Sequence, residues 1–246
     1  MAVAFDASST YAADTTSVTQ SHTVGSYSDR LLVVGVGFGL IRSTTPTATY
    51  AGTSMTRLHD VYGVTDANSC LFVLVAPATG ANNVVIAWGG SLTWAHVIIR
   101  SYYNVNQGNP YGTYVQGTAT SSTPSITVTD AMGGGMVVDN IAWPQAANSP
   151  SAGGGQTNLI TVAGVGSNAR LFASEEQPTA ASVAMSYTCT DSRTWYGTAL
   201  SLYGIGAGSQ VIMLAIRRWE KFMRDLRAGL IPPDLLMRRY REAVTI

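Results

Sequence analysis

The chain has 246 residues, of which 46% are hydrophobic and 11% charged, with 14 Lys+Arg balancing 14 Asp+Glu. That length buries a full core, and the plentiful aliphatic and aromatic residues exclude general disorder. A charged share far below the ~25% of an ordinary solvated domain sets the chain apart from a typical soluble enzyme.

The predicted elements are short and β-like. Residues 30–38 form a continuous apolar run with β-branched members, suited to a central strand covered on both faces. Residues 47–50 and 53–58 flank Ala51-Gly52, a two-residue turn signal. Residues 70–76 make a second buried run, stopped by Pro77, and 83–88 follow before Gly89-Gly90. Over 92–103, Trp94, His96, Ile98 and Arg100 alternate with Ala95, Val97, Ile99 and Ser101, so a mixed face and an apolar face separate with period two. Residues 106–112 read as a loop. Residues 125–129 alternate, 130–135 turn, and 135–143 are a third buried run ended by Pro144. Residues 148–156, with three consecutive glycines, are expected to be the most flexible stretch. Residues 158–165, 169–175, 181–189 and 194–203 complete about eleven to thirteen strands. Without helical periods between them, parallel βαβ winding is not expected. The expected class is all-β: an antiparallel two-sheet β-sandwich over 1–204, jelly-roll or concanavalin-like.

The last forty residues differ. Residues 1–207 carry six Arg, no Lys and ten acids, whereas 208–246 carry seven Arg and Lys221 against four acids. After a glycine hinge at 205–208, Ile212, Ile216, Trp219, Met223, Leu226 and Leu230 recur every three or four residues, one stripe of a helix. Ser209 is a suitable N-cap, and Gly229 with Pro232-Pro233 ends the helix. A shorter helix from Asp234 to about Ala243 follows, with Arg238, Arg239 and Arg241 near its C-terminal end. Residues 209–246 are therefore expected to be a helical hairpin that attaches the β body to something, with the stripe as its contact face.

Sites for chemistry are scarce. No Gly-x-Ser-x-Gly elbow occurs. His59-Asp60 are strand neighbours that point to opposite faces. Glu175-Glu176, the acidic pair, is expected to be solvated turn charge before Pro178, because glycosidases need carboxylates facing one bond across about 5–10 Å. Gly35-Val-Gly37-Phe-Gly39 lies in an apolar strand with no following helix, so packing or a bulge is expected there rather than phosphate binding. No zinc or EF-hand spacing appears. No catalytic residue, metal or cofactor is therefore expected. The tail arginines interleave with Glu220, Asp225 and Glu242, which favours intrahelical pairs over nucleic-acid binding. No apolar run reaches about 18 residues, so no membrane helix is expected. No secretory signal is expected from residues 1–6, and Cys70 and Cys189 are expected to be buried free thiols. Tyr102, Tyr103 and Tyr111 around loop 104–110, with Trp195-Tyr196, are candidates either for sugar or host contact or for capping the core at strand ends.

The runs 21–25, 29–38, 48–56 and 71–80, with the closing Trp195-Tyr-Gly-Thr-Ala-Leu-Ser-Leu202, resemble β-sandwich structural proteins of tailed bacteriophages and prophages. The resemblance covers residues 2–203 and implies a non-enzymatic virion component: capsid decoration, fibre or spike, or tail-associated part. It implies partners among other virion proteins and further copies of the chain. The helical tail departs from it, since similar sandwiches end with their last strand. A carbohydrate-binding or host-adsorption module is the alternative. A glycan hydrolase or lyase would need a facing carboxylate pair in a groove.

Overall fold

The computed structural model describes residues 1–13, 17–39, 46–62, 67–88, 92–144, 149–163 and 169–206. Residues Met1–Ile205 form one compact unit and Gly206–Ile246 another. The expected helices over 209–246 and the stripe Ile212, Ile216, Trp219, Met223, Leu226 and Leu230 lie outside the described residues.

The described chain contains seventeen strands: β1 (Ala4–Ala13), β2 (Ser17–Val24), β3 (Leu31–Phe38), β4 (Thr47–Tyr50), β5 (Thr53–Ser54), β6 (Thr56–Tyr62), β7 (Asn68–Val75), β8 (Gly80–Ala87), β9 (Ala95–Tyr103), β10 (Tyr111–Ser121), β11 (Ser125–Val128), β12 (Met136–Trp143), β13 (Ser151–Ala152), β14 (Thr157–Ala163), β15 (Arg170–Glu176), β16 (Val183–Thr188) and β17 (Arg193–Leu202). Their ladders are antiparallel. Three strands absent from the sequence expectation are β1, β2 and β10, and β13 falls within the stretch expected to be most flexible. The Ala51-Gly52 turn joins β4 to β5 as expected, with both residues left-handed (φ 49° and 79°), the conformation that a type I′ hairpin requires.

The expected pair of sheets is in fact four. Two five-stranded sheets run β1-β9-β3-β7-β6 and β10-β17-β12-β15-β14, and two smaller ones run β2-β8-β4-β5 and β11-β16-β13. The second half of the chain thus repeats the first, strand for strand, with only β5 lacking a counterpart. The irregularities repeat too. β1 slips register between Phe5 and Ala7 against β9, and β10 between Tyr111 and Tyr114 against β17. β6 slips between Arg57 and His59, and β14 between Thr157 and Ile160. A left-handed residue stands two positions before each central strand, Asp29 (φ 54°) before Leu31 and Gly134 (φ 79°) before Met136. Leu31 pairs with Tyr102 and Met136 with Leu202. Superposing Leu31 on Met136 therefore matches Gly35 with Asn140, Gly25 with Asp130 and Tyr103 with Tyr203.

Burial explains the layering. β3 and β12 are buried along their whole lengths, whereas β2, β8, β11 and β16 largely alternate buried and exposed residues. Continuous apolar runs suit strands covered on both faces, and alternation suits sheets with one wet face. One core cluster joins Val34, Val36 and Phe72 of the first large sheet to Val18, Tyr50 and Ile86 of its small sheet. A second joins Val137, Ile141 and Phe172 to Ile126, Met185 and Tyr187. Two more clusters lie between the large sheets, around Leu31, Val73, Val138 and Leu200, and around Trp94, Ile98, Leu171 and Tyr196. The mixed face of 92–103 is thus the junction between the halves. There the matched positions Gly35 and Asn140 meet: a Cβ on Gly35 would approach Asn140 Cγ to 2.7 Å.

Candidate functional site

Three polar clusters collect the side chains capable of chemistry. The first lies between and behind the large sheets. Arg100, 1% exposed, donates through Nη1 to Ser174 O (2.8 Å) and through Nη2 to Asp139 O (2.6 Å). Asp139 Oδ1 accepts from Ser174 N and from the Tyr187 hydroxyl, both at 2.7 Å, while its buried Oδ2 has no partner. Burial raises the Asp139 carboxyl to about 6, with the hydrogen bonds from Tyr187 and Ser174 and the Arg100 charge opposing the rise. Beside this group the Tyr102 hydroxyl donates to Glu175 Oε2 at 2.7 Å. Glu175 was expected to be solvated and is instead buried, because its place on β15 turns it towards the other large sheet. With every one of these groups buried, the cluster ties β9, β12, β15 and β16 together.

The second cluster joins β1, β2 and β9. Ser101 Oγ donates to Asp6 Oδ2 (2.7 Å) and lies 3.1 Å from His22 Nε2, and Ser9 Oγ lies 2.9 Å from His22 Nδ1. The constellation has the residue types of a hydrolytic triad but the wrong order. The serine proton is directed at the carboxylate, and Ser101 and His22 are buried. Burial lowers His22 to about 4 against the raising effect of Asp6, so the imidazole is neutral at pH 7.

The third cluster is the corner where the loop before each central strand meets the bulge of each first strand. In the first half the bulge supplies the carboxylate: Gly25 N donates to Asp6 Oδ2 at 2.8 Å. In the second half the loop supplies it: Thr113 N donates to Asp130 Oδ2, which also accepts from the Tyr203 hydroxyl at 3.2 Å. Gly25 and Gly112 stand where the opposite half has Asp130 and Asp6, and a Cβ on either would collide with the facing carboxylate. The same tie is built from opposite ends.

The aromatic candidates do not converge. Tyr102, Trp195 and Tyr196 are buried, and Tyr111 is half-buried against the cluster between the large sheets. They cap or fill the core. Tyr103, partly buried like Tyr111, stacks on Tyr27 with ring centroids 4.1 Å apart and planes 13° apart. Tyr27 was not singled out in the sequence because it stands alone in a Ser-rich turn. The Gly35 and Gly37 run is packing, as expected: a Cβ on Gly37 would come within 2.8 Å of Leu171 Cδ1. The side chains of His59-Asp60 lie outside the described residues. Among the described residues, no three His, Cys, Asp or Glu side chains gather as metal ligands. Cys70 and Cys189 are buried and form no disulfide.

The described residues form several antiparallel sheets without a helix, and they enclose His22, His96, Arg100, Asp139 and Glu175. No family model, curated protein or solved structure matches the chain.

Proposed function

We propose that this chain is a non-enzymatic structural protein of a tailed-phage virion, two jelly-roll-like sandwiches held outward and attached through helices in residues 209–246. The observation that carries the reading is the chemistry of the outer sheets. The seven strands β2, β4, β5, β8, β11, β13 and β16 contain no charged residue. Their wet faces are Ser, Thr, Asn, Ala and Val, while Arg100, Asp139 and Glu175 are buried. Depletion of charge at the core of the patch is one compositional mark of a surface that meets other protein. The basic 208–246 segment supplies the complementary attachment element. Burying each of Ile212, Ile216, Trp219, Met223 and Leu226 contributes about 1.5–3 kcal/mol, enough for a stable joint after ordering costs. The partners in this reading are sister copies or neighbouring virion proteins.

Removal of the residues after Gly208 tests it. Light scattering after size exclusion is expected to show an assembled full chain and a folded, monomeric remainder. An identical assembly state for both proteins overturns the attachment role.

A second reading, a carbohydrate-binding or host-adsorption module, is favoured by one specific observation, the Tyr27–Tyr103 stack.

A further inference from the structure

We infer that the corner formed by Tyr27, Tyr103 and Asp6 is a saccharide-binding site, with the outer face of Tyr27 as the platform for a sugar ring; this rests on the second reading above and not on the attachment role of residues 209–246.

Tyr27 is 48% exposed, yet it is fixed on every side that is not open. Its inner face lies on Tyr103. Its backbone carbonyl accepts from Arg30 Nη1, and Arg30 is itself anchored through Nε to Pro77 O at 3.0 Å. Its edge lies over Gly25, so closely that a Cβ there would come within 2.6 Å of the ring. The stack on Tyr103 and the covered half of the ring offset the rotamer freedom lost in holding it. The open half is left as a preorganised face, which a ligand binds at least entropic cost.

Beside the ring stands a carboxylate. Asp6 sits in the β1 bulge, and its Oδ2 is committed to Gly25 N and Ser101 Oγ. Oδ1 lies against the same Gly25 position as the Tyr27 ring and accepts no hydrogen bond from the described residues, and Asp6 is only partly buried. Bulges recur beside functional sites because they re-aim a side chain. An aromatic face next to a free carboxylate oxygen matches a pyranose: the ring stacks through its C–H face, and its hydroxyls donate to the carboxylate.

The internal repeat supplies the control that the fold itself does not demand this arrangement. At the matching corner of the second half, Tyr203 is buried and donates to Asp130, Gly112 replaces Asp6, and Met132 occupies the place of Tyr27. The second half closes its corner on itself; the first keeps an exposed ring beside a carboxylate.

The test uses the full chain on a printed array of neutral oligosaccharides, including glucose-, mannose- and N-acetylglucosamine-based chains. Titration calorimetry follows with the tightest-binding array sugar. Binding to at least one array sugar is expected, with a loss of tenfold or more in Tyr27→Ala and in Asp6→Asn. The exposed-tyrosine control in the other half, Tyr114→Ala, is expected to bind normally, and Tyr27→Trp to bind at least as well as the parent. Thermal melts identify any variant that fails to fold, and Tyr27→Trp then carries the comparison. A chain that binds no array sugar overturns the inference, and so does binding indifferent to Tyr27→Ala and Asp6→Asn. Neither result bears on the truncation experiment, so the two readings fail separately.

Discussion

Gly35 and Asn140 occupy matched positions in the two halves and meet where β3 crosses β12, so a methyl group at 35 tests the junction directly. In Gly35→Ala the new Cβ would lie 2.7 Å from Asn140 Cγ and 3.2 Å from its Cβ, inside contact distance. Overpacking of this kind costs about 1–3 kcal/mol. Asn140 cannot retreat freely, because its Nδ2 donates to Ser69 Oγ at 3.0 Å and to Val36 O at 3.4 Å. Displacing it strands buried polar groups for roughly another 1–3 kcal/mol. The single substitution is therefore expected to cost about 2–6 kcal/mol, a large share of the ~5–15 kcal/mol a domain holds. Asn140→Gly alone leaves a void and a flexible strand residue, for about 2–3 kcal/mol. In the double variant Gly35→Ala/Asn140→Gly the methyl group enters the void. Urea unfolding followed by circular dichroism measures the cycle. A coupling of about 2 kcal/mol or more in the favourable direction is expected, and the exchanged pair Gly35→Asn/Asn140→Gly should unfold at higher urea than Gly35→Asn alone. Costs that add to within about 0.5 kcal/mol refute a shared space at this crossing.

The buried ionisable groups predict opposing pH effects. His22 and His96 are lowered from 6.5 to about 4, by burial in both, opposed by Asp6 at His22 and assisted by Arg170 at His96. Their stabilising contribution is whole above pH 6.5 and is lost as pH falls towards 4. Asp139, raised from 3.8 to about 6, works the other way, contributing below pH 3.8 and losing that contribution as pH rises through 6. The urea midpoint is expected to fall between pH 6.5 and 4, and to fall more steeply in Asp139→Asn; an unchanged slope in that variant removes Asp139 from the account. The thiols give a separate check. Cys70 lies in the core of the first half and Cys189 in that of the second. Ellman's reagent should find no thiol in the native protein and two after denaturation, and a disulfide-sized deficit in the denatured sample would contradict this placement.

The buried runs were legible because apolar composition speaks directly for two-sided burial. Residues 30–38, 70–76 and 135–143 became β3, β7 and β12. The alternation over 92–103 gave both faces of β9, though not that its mixed face, with His96 and Arg100, is enclosed by a second sheet. Strands β1 and β10 are not legible in the sequence, for a physical reason. They are edge strands rich in Ala, Ser and Thr, and much of β10 is exposed, so no apolar period marks them. Missing them hid the repeat, which begins with these strands. Side-chain similarity could not reveal it either: β3 reads LLVVGVGF where β12 reads MVVDNIAW. Position within the sheet, not composition, decided the candidate aromatics. Trp195 and Tyr196 stand on a strand flanked by β10 and β12, while Tyr27 reaches solvent from a turn.

The repeat also explains where the two halves had to diverge. At a crossing of equivalent strands both halves compete for one space, so identical side chains would leave a void or collide, and Gly35 facing Asn140 resolves the conflict. The corner tie obeys the same logic within each half, where one carboxylate serves and the facing residue must be glycine. Asp6 with Gly25, and Asp130 with Gly112, are the two ways to satisfy it. The choice has a consequence for the surface. When the loop supplies the carboxylate, the tyrosine after the last strand turns in to donate to it, as Tyr203 does. When the bulge supplies it, that tyrosine keeps its ring for stacking, as Tyr103 does beneath Tyr27. Placing the carboxylate on the bulge instead of the loop thus leaves the corner's tyrosine free to stack, and sets the carboxylate beside the exposed Tyr27 ring.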